Sequence, residues 1–191
     1  MPRAHRVFTR GLSVHIIQRG NNHGAIFDLP TDYEHFLELL WRTARKYAVA
    51  IHAYVLMTTH FHLMVTPTSE AGLPKMMQAL DGGYVRYYNR RQQRVGTLWS
   101  GRYRGLVIDD ERYWLTCLRY IEQNPVRAGM VETPEAYAWS SYAAHAFGKW
   151  PPSLTPHFLY QSLGPNDGER QRAYRHLCAR PVSPDDALLV R

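Results

Sequence analysis

The apolar run Val14-His15-Ile16-Ile17-Gln18 reads as a strand, and Gly20-Asn21-Asn22 breaks it. A capped helix start follows at Thr31-Asp32-Tyr33-Glu34. Phe36, Leu39, Leu40 and Ala44 then recur at helical spacing to about Tyr47. Residues 49–57 predict a second strand, and residues 62–66 a third, ended by Pro67. Gly72-Leu73-Pro74 opens a second helix with Met76, Met77, Leu80, Val85 and Tyr88 on one side. Asp81-Gly82-Gly83 is expected to interrupt or kink it. Leu106-Val107-Ile108 is a fourth strand. A third helix starts at Asp110-Glu111 and carries Trp114, Leu115, Leu118, Tyr120 and Ile121. Residues 126–131 predict a short turn or helix. Beyond Pro151-Pro152 the chain turns Pro-, Gly- and polar-rich, with one further helix near residues 167–178.

The order β-α-β-β-α-β followed by helices predicts an α+β fold, a ferredoxin-like antiparallel sheet with additional C-terminal helices. Such a sheet keeps one face free of its first two helices. The expected organisation is one main domain over residues 1–150 and a tail over residues 151–191.

Within this pattern, Thr58-Thr59-His60-Phe61-His62-Leu63 concentrates candidate chemistry. On a strand, His60 and His62 share one face and Phe61 goes to the other. Two neutral imidazoles side by side can hold a divalent metal. Taken alone, the pair is more often a polar patch on a solvated face. The end of the third helix adds a second constellation. Tyr120 lies four residues before Asn124 and three before Gln123, so each amide can share a helix face with the phenol. A tyrosine oxygen can act as a covalent nucleophile, and an amide oxygen can complete a metal site. Asn124 before Pro125 is equally a natural helix cap.

Composition adds a partner. The 191 residues are 45% hydrophobic and 20% charged, with a formal net charge of +7 and a pI of about 9.6. A polyanion is expected. Arg86, Arg90, Arg91 and Arg94 recur along the end of the second helix. Trp99, Arg102, Tyr103 and Arg104 follow, and Arg3 and Arg6 sit at an N-terminus that reads equally as a basic arm on phosphates or a frayed, solvated end. Arginines beside aromatics contact phosphates and stack unpaired bases, the alternative for the rings being that they fill the core. The alternative for the helix-end arginines is a solvated face favoured by the helix dipole. The two cysteines, Cys117 and Cys178, suggest neither a disulfide framework nor a zinc knuckle. With no signal peptide and no apolar run long enough to span a bilayer, a cytoplasmic protein is expected.

Taken together, the motifs resemble the single-tyrosine HUH transposases of the IS200/IS605 type, and within them the REP-associated tyrosine transposases. The features are His60-Phe61-His62 and the run from Tyr120 to Gly129, Tyr-Ile-Glu-Gln-Asn-Pro-Val-Arg-Ala-Gly. Gln18-Arg19-Gly20-Asn21-Asn22, Gly96-Thr97-Leu98-Trp99 and Trp139-Ser140-Ser141-Tyr142 complete the set. The resemblance covers about residues 1–145. It implies a single-stranded DNA endonuclease and strand transferase with Tyr120 as nucleophile, leaving a 5′-phosphotyrosine and a free 3′-hydroxyl. His60 and His62 would be ligands of Mg²⁺ or Mn²⁺, with Asn124 as third ligand and Gln123 as second choice. The implied partner is single-stranded DNA carrying hairpins, and the implied state a monomer or homodimer. Glu122 departs from the pattern with no assigned consequence. A competing reading is a non-catalytic ferredoxin-like module binding single-stranded nucleic acid, with its histidines and Tyr120 incidental. A third is a metal-independent ribonuclease using the histidines as acid and base.

Overall fold

The structure is a computed structural model and describes residues 8–180 and 182. Its strands are β1 (Ser13–Arg19), β2 (Val49–Met57), β3 (His60–Pro67) and β4 (Arg104–Ile108). They form one sheet in the order β2-β3-β1-β4, with every adjacent pair antiparallel. Helices α1 (Pro30–Lys46) and α2 (Gly72–Arg91) supply the connections and pack on one face. This is the ferredoxin-like βαββαβ arrangement. The other face is covered by α3 (Glu111–Glu122), α5 (Tyr142–Phe147), α6 (Phe158–Gln161) and α7 (Asp167–Cys178). The one-turn α4 (Asn124–Arg127) follows α3. Among the described residues, no helix is long and apolar enough to cross a membrane.

Alternation along the strands sorts their side chains into two cores. Phe61, Leu63 and Val65 of β3, with Val14 and Ile16 of β1, join the α1–α2 side. Met64 joins the α3 side. In β2 a bulge shifts the register between Ile51 and Ala53. Ile51, Tyr54 and Leu56 therefore reach the first core, while Ala53, Val55 and Met57 reach the second. The outer edge of β2 is covered by chain that binds it directly. Leu56 N–H donates to the Trp139 carbonyl at 2.9 Å, and Ser141 and Thr155 donate to Tyr54 and Ile51 at 3.0 and 2.8 Å. A sheet edge that would otherwise recruit another strand is thereby closed. This is the local role of Trp139-Ser140-Ser141.

Helix α1 begins at Pro30 rather than Thr31, because proline suits the first helical position. Its cap comes from inside: the Asp32 carboxylate accepts the N–H groups of Asp28 and Leu29 at 2.9 and 3.0 Å. The expected interruption of α2 does not occur, and the helix runs unbroken through Gly82 and Gly83. A Cβ on Gly83 would lie 3.4 Å from Leu39 of α1, so this glycine lets two helices approach closely. Asp110 caps α3 by accepting Tyr113 N–H at 2.8 Å, and Asn166 caps α7 by accepting Glu169 N–H at 3.0 Å. Helices α5 and α6 were not anticipated, since they are too short to display a period.

The second core holds a buried carboxylate. Glu122 and His145 are fully buried, with His145 Nδ1 2.7 Å from the Glu122 carboxylate. Ser141 Oγ and Tyr174 Oη also donate to it. Glu122, at the end of α3, therefore points into α5 and α7. Glu122→Ala strands three buried donors and is expected to destabilise the protein by about 3 kcal/mol or more. Denaturant unfolding measures this loss. Glu122→Gln, which keeps the shape, is expected to lose less.

Candidate active site

The β2–β3 hairpin turns at Thr58 and Thr59, and β3 begins at His60 itself. Across the ladder His60 lies opposite Met57 and Arg19, and His62 opposite Val55 and Ile17. Both imidazoles thus fall on the α3 face. The last turn of α3 brings Tyr120 over them: its ring centroid is 5.8 Å from that of His62. Four residues on, Asn124 N–H₂ reaches the Tyr120 carbonyl at 3.5 Å. His60, His62, Tyr120 and Asn124 line one cleft of about 640 Å³ together with Arg19, Arg104 and Arg127.

A third histidine stands behind the pair. His15 of β1 is fully buried, with Nε2 2.8 Å from His62 Nδ1 and its ring stacked on that of His62 at 5.0 Å. Its Nδ1 is buried without a hydrogen-bond partner among the described residues. Burial pushes His15 down to about 3, helped by Arg104. Burial likewise lowers His60 to about 4, helped by Arg19. His62 falls well below the usual range, from burial first and then from its histidine and arginine neighbours. At neutral pH all three rings are uncharged, the form that ligates metal. The sequence reading missed His15. Its signal was a histidine in an apolar strand, interpretable only once β1 pairs with β3.

The donor set fits a divalent ion. His60 Nδ1 is 3.2 Å from Thr59 Oγ1 and His62 Nδ1 meets His15, so Nε2 is the nitrogen each ring can offer. Among the described residues no group of three His, Cys, Asp or Glu is placed to hold a metal. A third protein donor would therefore be of another type, and Asn124, which carries an amide oxygen, lines the same cleft. Gln123 does not: its amide nitrogen donates to the Cys178 carbonyl at 2.7 Å and its oxygen accepts Val182 N–H. Glu122 is also turned away.

Two neighbouring motifs frame the cleft. Gly20 N–H donates to the Thr59 carbonyl and Asn21 N–H to the Leu98 carbonyl, both at 2.8 Å. A Cβ on Gly20 would stand 2.2 Å from the Gly24 carbonyl, so only glycine fits there. These contacts join the end of β1, the hairpin carrying His60 and the segment before β4.

The expected DNA-contacting residues divide. Arg86, Arg90, Arg102 and Arg104 are exposed. Arg94 lies over the Tyr88 ring at 5.8 Å and donates to the Thr97 carbonyl. Arg91 pairs with Asp28 at 3.0 Å and with fully buried Asp32 at 2.7 Å, holding α2 to the start of α1. Trp99 and Tyr103 are packed. Trp99 is buried against Phe61 and Tyr84, and Tyr103 is buried beside Phe8, so both rings serve the first core. Arg3 and Arg6 lie outside the described residues.

A covered antiparallel sheet bearing this cleft has a clear likeness among solved structures. The chain matches a REP-associated tyrosine transposase bound to a REP hairpin with a TM-score of 0.60 and 17% identity, over 82% of this chain and 93% of that one. It also matches a provisionally assigned transposase from Deinococcus radiodurans (TM-score 0.44, 18% identity, 58% and 89% covered). A third match is tRNA(His) guanylyltransferase from Saccharomyces cerevisiae (TM-score 0.49, 11% identity, 93% and 82% covered). The last two scores are too low to bear on function. No curated protein is similar to the chain at a significant level. The sequence profile described as "Transposase IS200 like" matches residues 8–124, a stretch that includes His60, His62 and Tyr120 and ends at Asn124. The chain belongs to this family, the single-tyrosine transposases of the IS200/IS605 type.

Proposed function

We propose that the protein is a metal-dependent endonuclease and strand transferase acting on single-stranded DNA that carries hairpins, with Tyr120 as nucleophile. The observation that carries this reading is the meeting of His60, His62, Tyr120 and Asn124, from three separate elements, in one arginine-lined cleft. The hairpin is inferred from the REP hairpin bound by the structural relative. In the transfer step Tyr120 Oη gives up its proton to water and forms a bond to phosphorus as the P–O3′ bond breaks. The electron pair leaves with the 3′-oxygen, which takes up a proton from water and ends as a hydroxyl. The ester is conserved, so a second 3′-hydroxyl can reverse the attack and join strands. His60 and His62 through Nε2, with Asn124 through its amide oxygen, would hold Mg²⁺ or Mn²⁺; the ion when bound supplies Lewis acidity and alignment. His62 would then donate its Nδ1–H to His15, which fixes the ring's orientation from behind.

The competing reading, a non-catalytic nucleic-acid module, needs an open sheet face with aromatic stacking platforms. Both faces of this sheet are covered. The test is incubation with end-labelled single-stranded hairpins and Mg²⁺ or Mn²⁺, followed by denaturing electrophoresis. A covalent protein–DNA adduct dependent on the metal is expected. Cleavage without an adduct contradicts the reading.

Affinity for the hairpin is expected to fall steeply with salt, as arginines displace counterions from phosphates. Arg90→Ala and Arg102→Ala should each reduce the slope of log affinity against log salt by about one. Unchanged slopes in both variants would exclude this surface from the interface.

A further inference from the structure

Arg127 closes α4 and sits three residues after Asn124. Its guanidinium carbon lies 4.6 Å from the centroid of the Tyr120 ring. The side chain is exposed, lines the same cleft as the histidines, and has no carboxylate partner among the described residues. No acidic residue lines that cleft, whereas Arg19, Arg104 and Arg127 all do. Such a site attracts an anion.

Its position over the ring of the nucleophile selects Arg127 from the three. A cation–π contact leaves the N–H donors of a guanidinium available at its edge. That fork matches the two non-bridging oxygens of a phosphate. We propose that Arg127 grips the non-bridging oxygens of the phosphate that Tyr120 attacks, and is a catalytic residue of the transfer step. The proposal rests on the phosphotyrosine reading above. No proton moves to or from Arg127, which stays protonated throughout. Its contribution is to the negative charge that builds on those oxygens as the Tyr120 Oη–P bond forms and the P–O3′ bond breaks.

The test is single-turnover adduct formation by wild type, Arg127→Ala and Arg127→Lys. Two hairpins are used, one with a native scissile phosphate and one with a methylphosphonate there, which replaces a charged oxygen by a methyl group. On the native phosphate Arg127→Ala is expected to be slower by about a hundredfold or more, with little change in hairpin affinity. Lysine should recover only part of the rate, since it offers a point charge rather than a fork. On the methylphosphonate the gap between wild type and Arg127→Ala should shrink at least about tenfold. An unchanged rate, a loss that lies wholly in affinity, or an equal loss on both substrates would overturn the proposal. Arg127 is exposed, so thermal melting of both variants should match wild type. If wild type itself forms no adduct at Tyr120, the underlying reading falls; if it does and Arg127→Ala keeps pace, only this proposal falls.

Discussion

Tyr120→Phe is expected to abolish adduct formation while the protein keeps its fold and its hairpin affinity. The substitution removes one oxygen and leaves the ring, which packs at 5.8 Å from His62, 6.3 Å from His15 and 4.6 Å from the Arg127 guanidinium. Stability should fall by about 1 kcal/mol or less. Removing a nucleophile is of another order: a rate loss on the order of 10⁴ or more is expected. The tyrosines of α2, on the other face of the sheet, offer no substitute. Tyr87 and Tyr88, beside the arginines of α2, have their hydroxyls on Asp32 at 3.1 Å and Asp28 at 2.7 Å. An adduct formed at wild-type rate by Tyr120→Phe would remove this tyrosine from the chemistry.

The second large effect is expected at His60. His60→Ala removes a half-buried ring whose hydrogen bond is a local one to Thr59, while Phe61, Leu63 and Val65 still anchor β3 in the first core. The fold should survive, and adduct formation should fall by about a hundredfold or more, since on the proposed reading a bound ion would lose one of its few protein ligands. Excess chelator should do the same to wild type, and calorimetric titration with Mn²⁺ should show weakened binding in the variant. His62→Ala is a less clean test. His62 is 1% exposed and tied to His15, so its truncation should also lower the melting temperature. Wild-type adduct yield in excess chelator, or in His60→Ala, would refute the metal role.

Much of the fold was legible because its signals are local. The bounds of β2 follow from an apolar run, and a helix near residues 167–178 matches α7. His60 and His62 share a face by alternation alone. What required three dimensions was pairing across the chain. His15 gains meaning only from the β1–β3 register, and Arg91 only from Asp28 and Asp32, about sixty residues away. Trp99 and Tyr103 resemble stacking platforms in sequence because they sit among arginines in a loop, yet in the fold both rings pack into the first core. Helical spacing left Asn124 and Gln123 both open beside Tyr120. They separate because α3 ends at Glu122, after which Gln123 turns toward Cys178 and Val182 while Asn124 stays in the cleft.

The central claim is covalent attachment through Tyr120, and the most direct measurement is peptide mapping of the trapped adduct. Wild-type protein is incubated with hairpin DNA and Mn²⁺, quenched, digested with nuclease and protease, and read by tandem mass spectrometry. The account predicts a 5′-phosphonucleotide on the Tyr120 side chain. A nucleotide on any other residue, or cleaved DNA with no nucleotide attached to the protein, would contradict it.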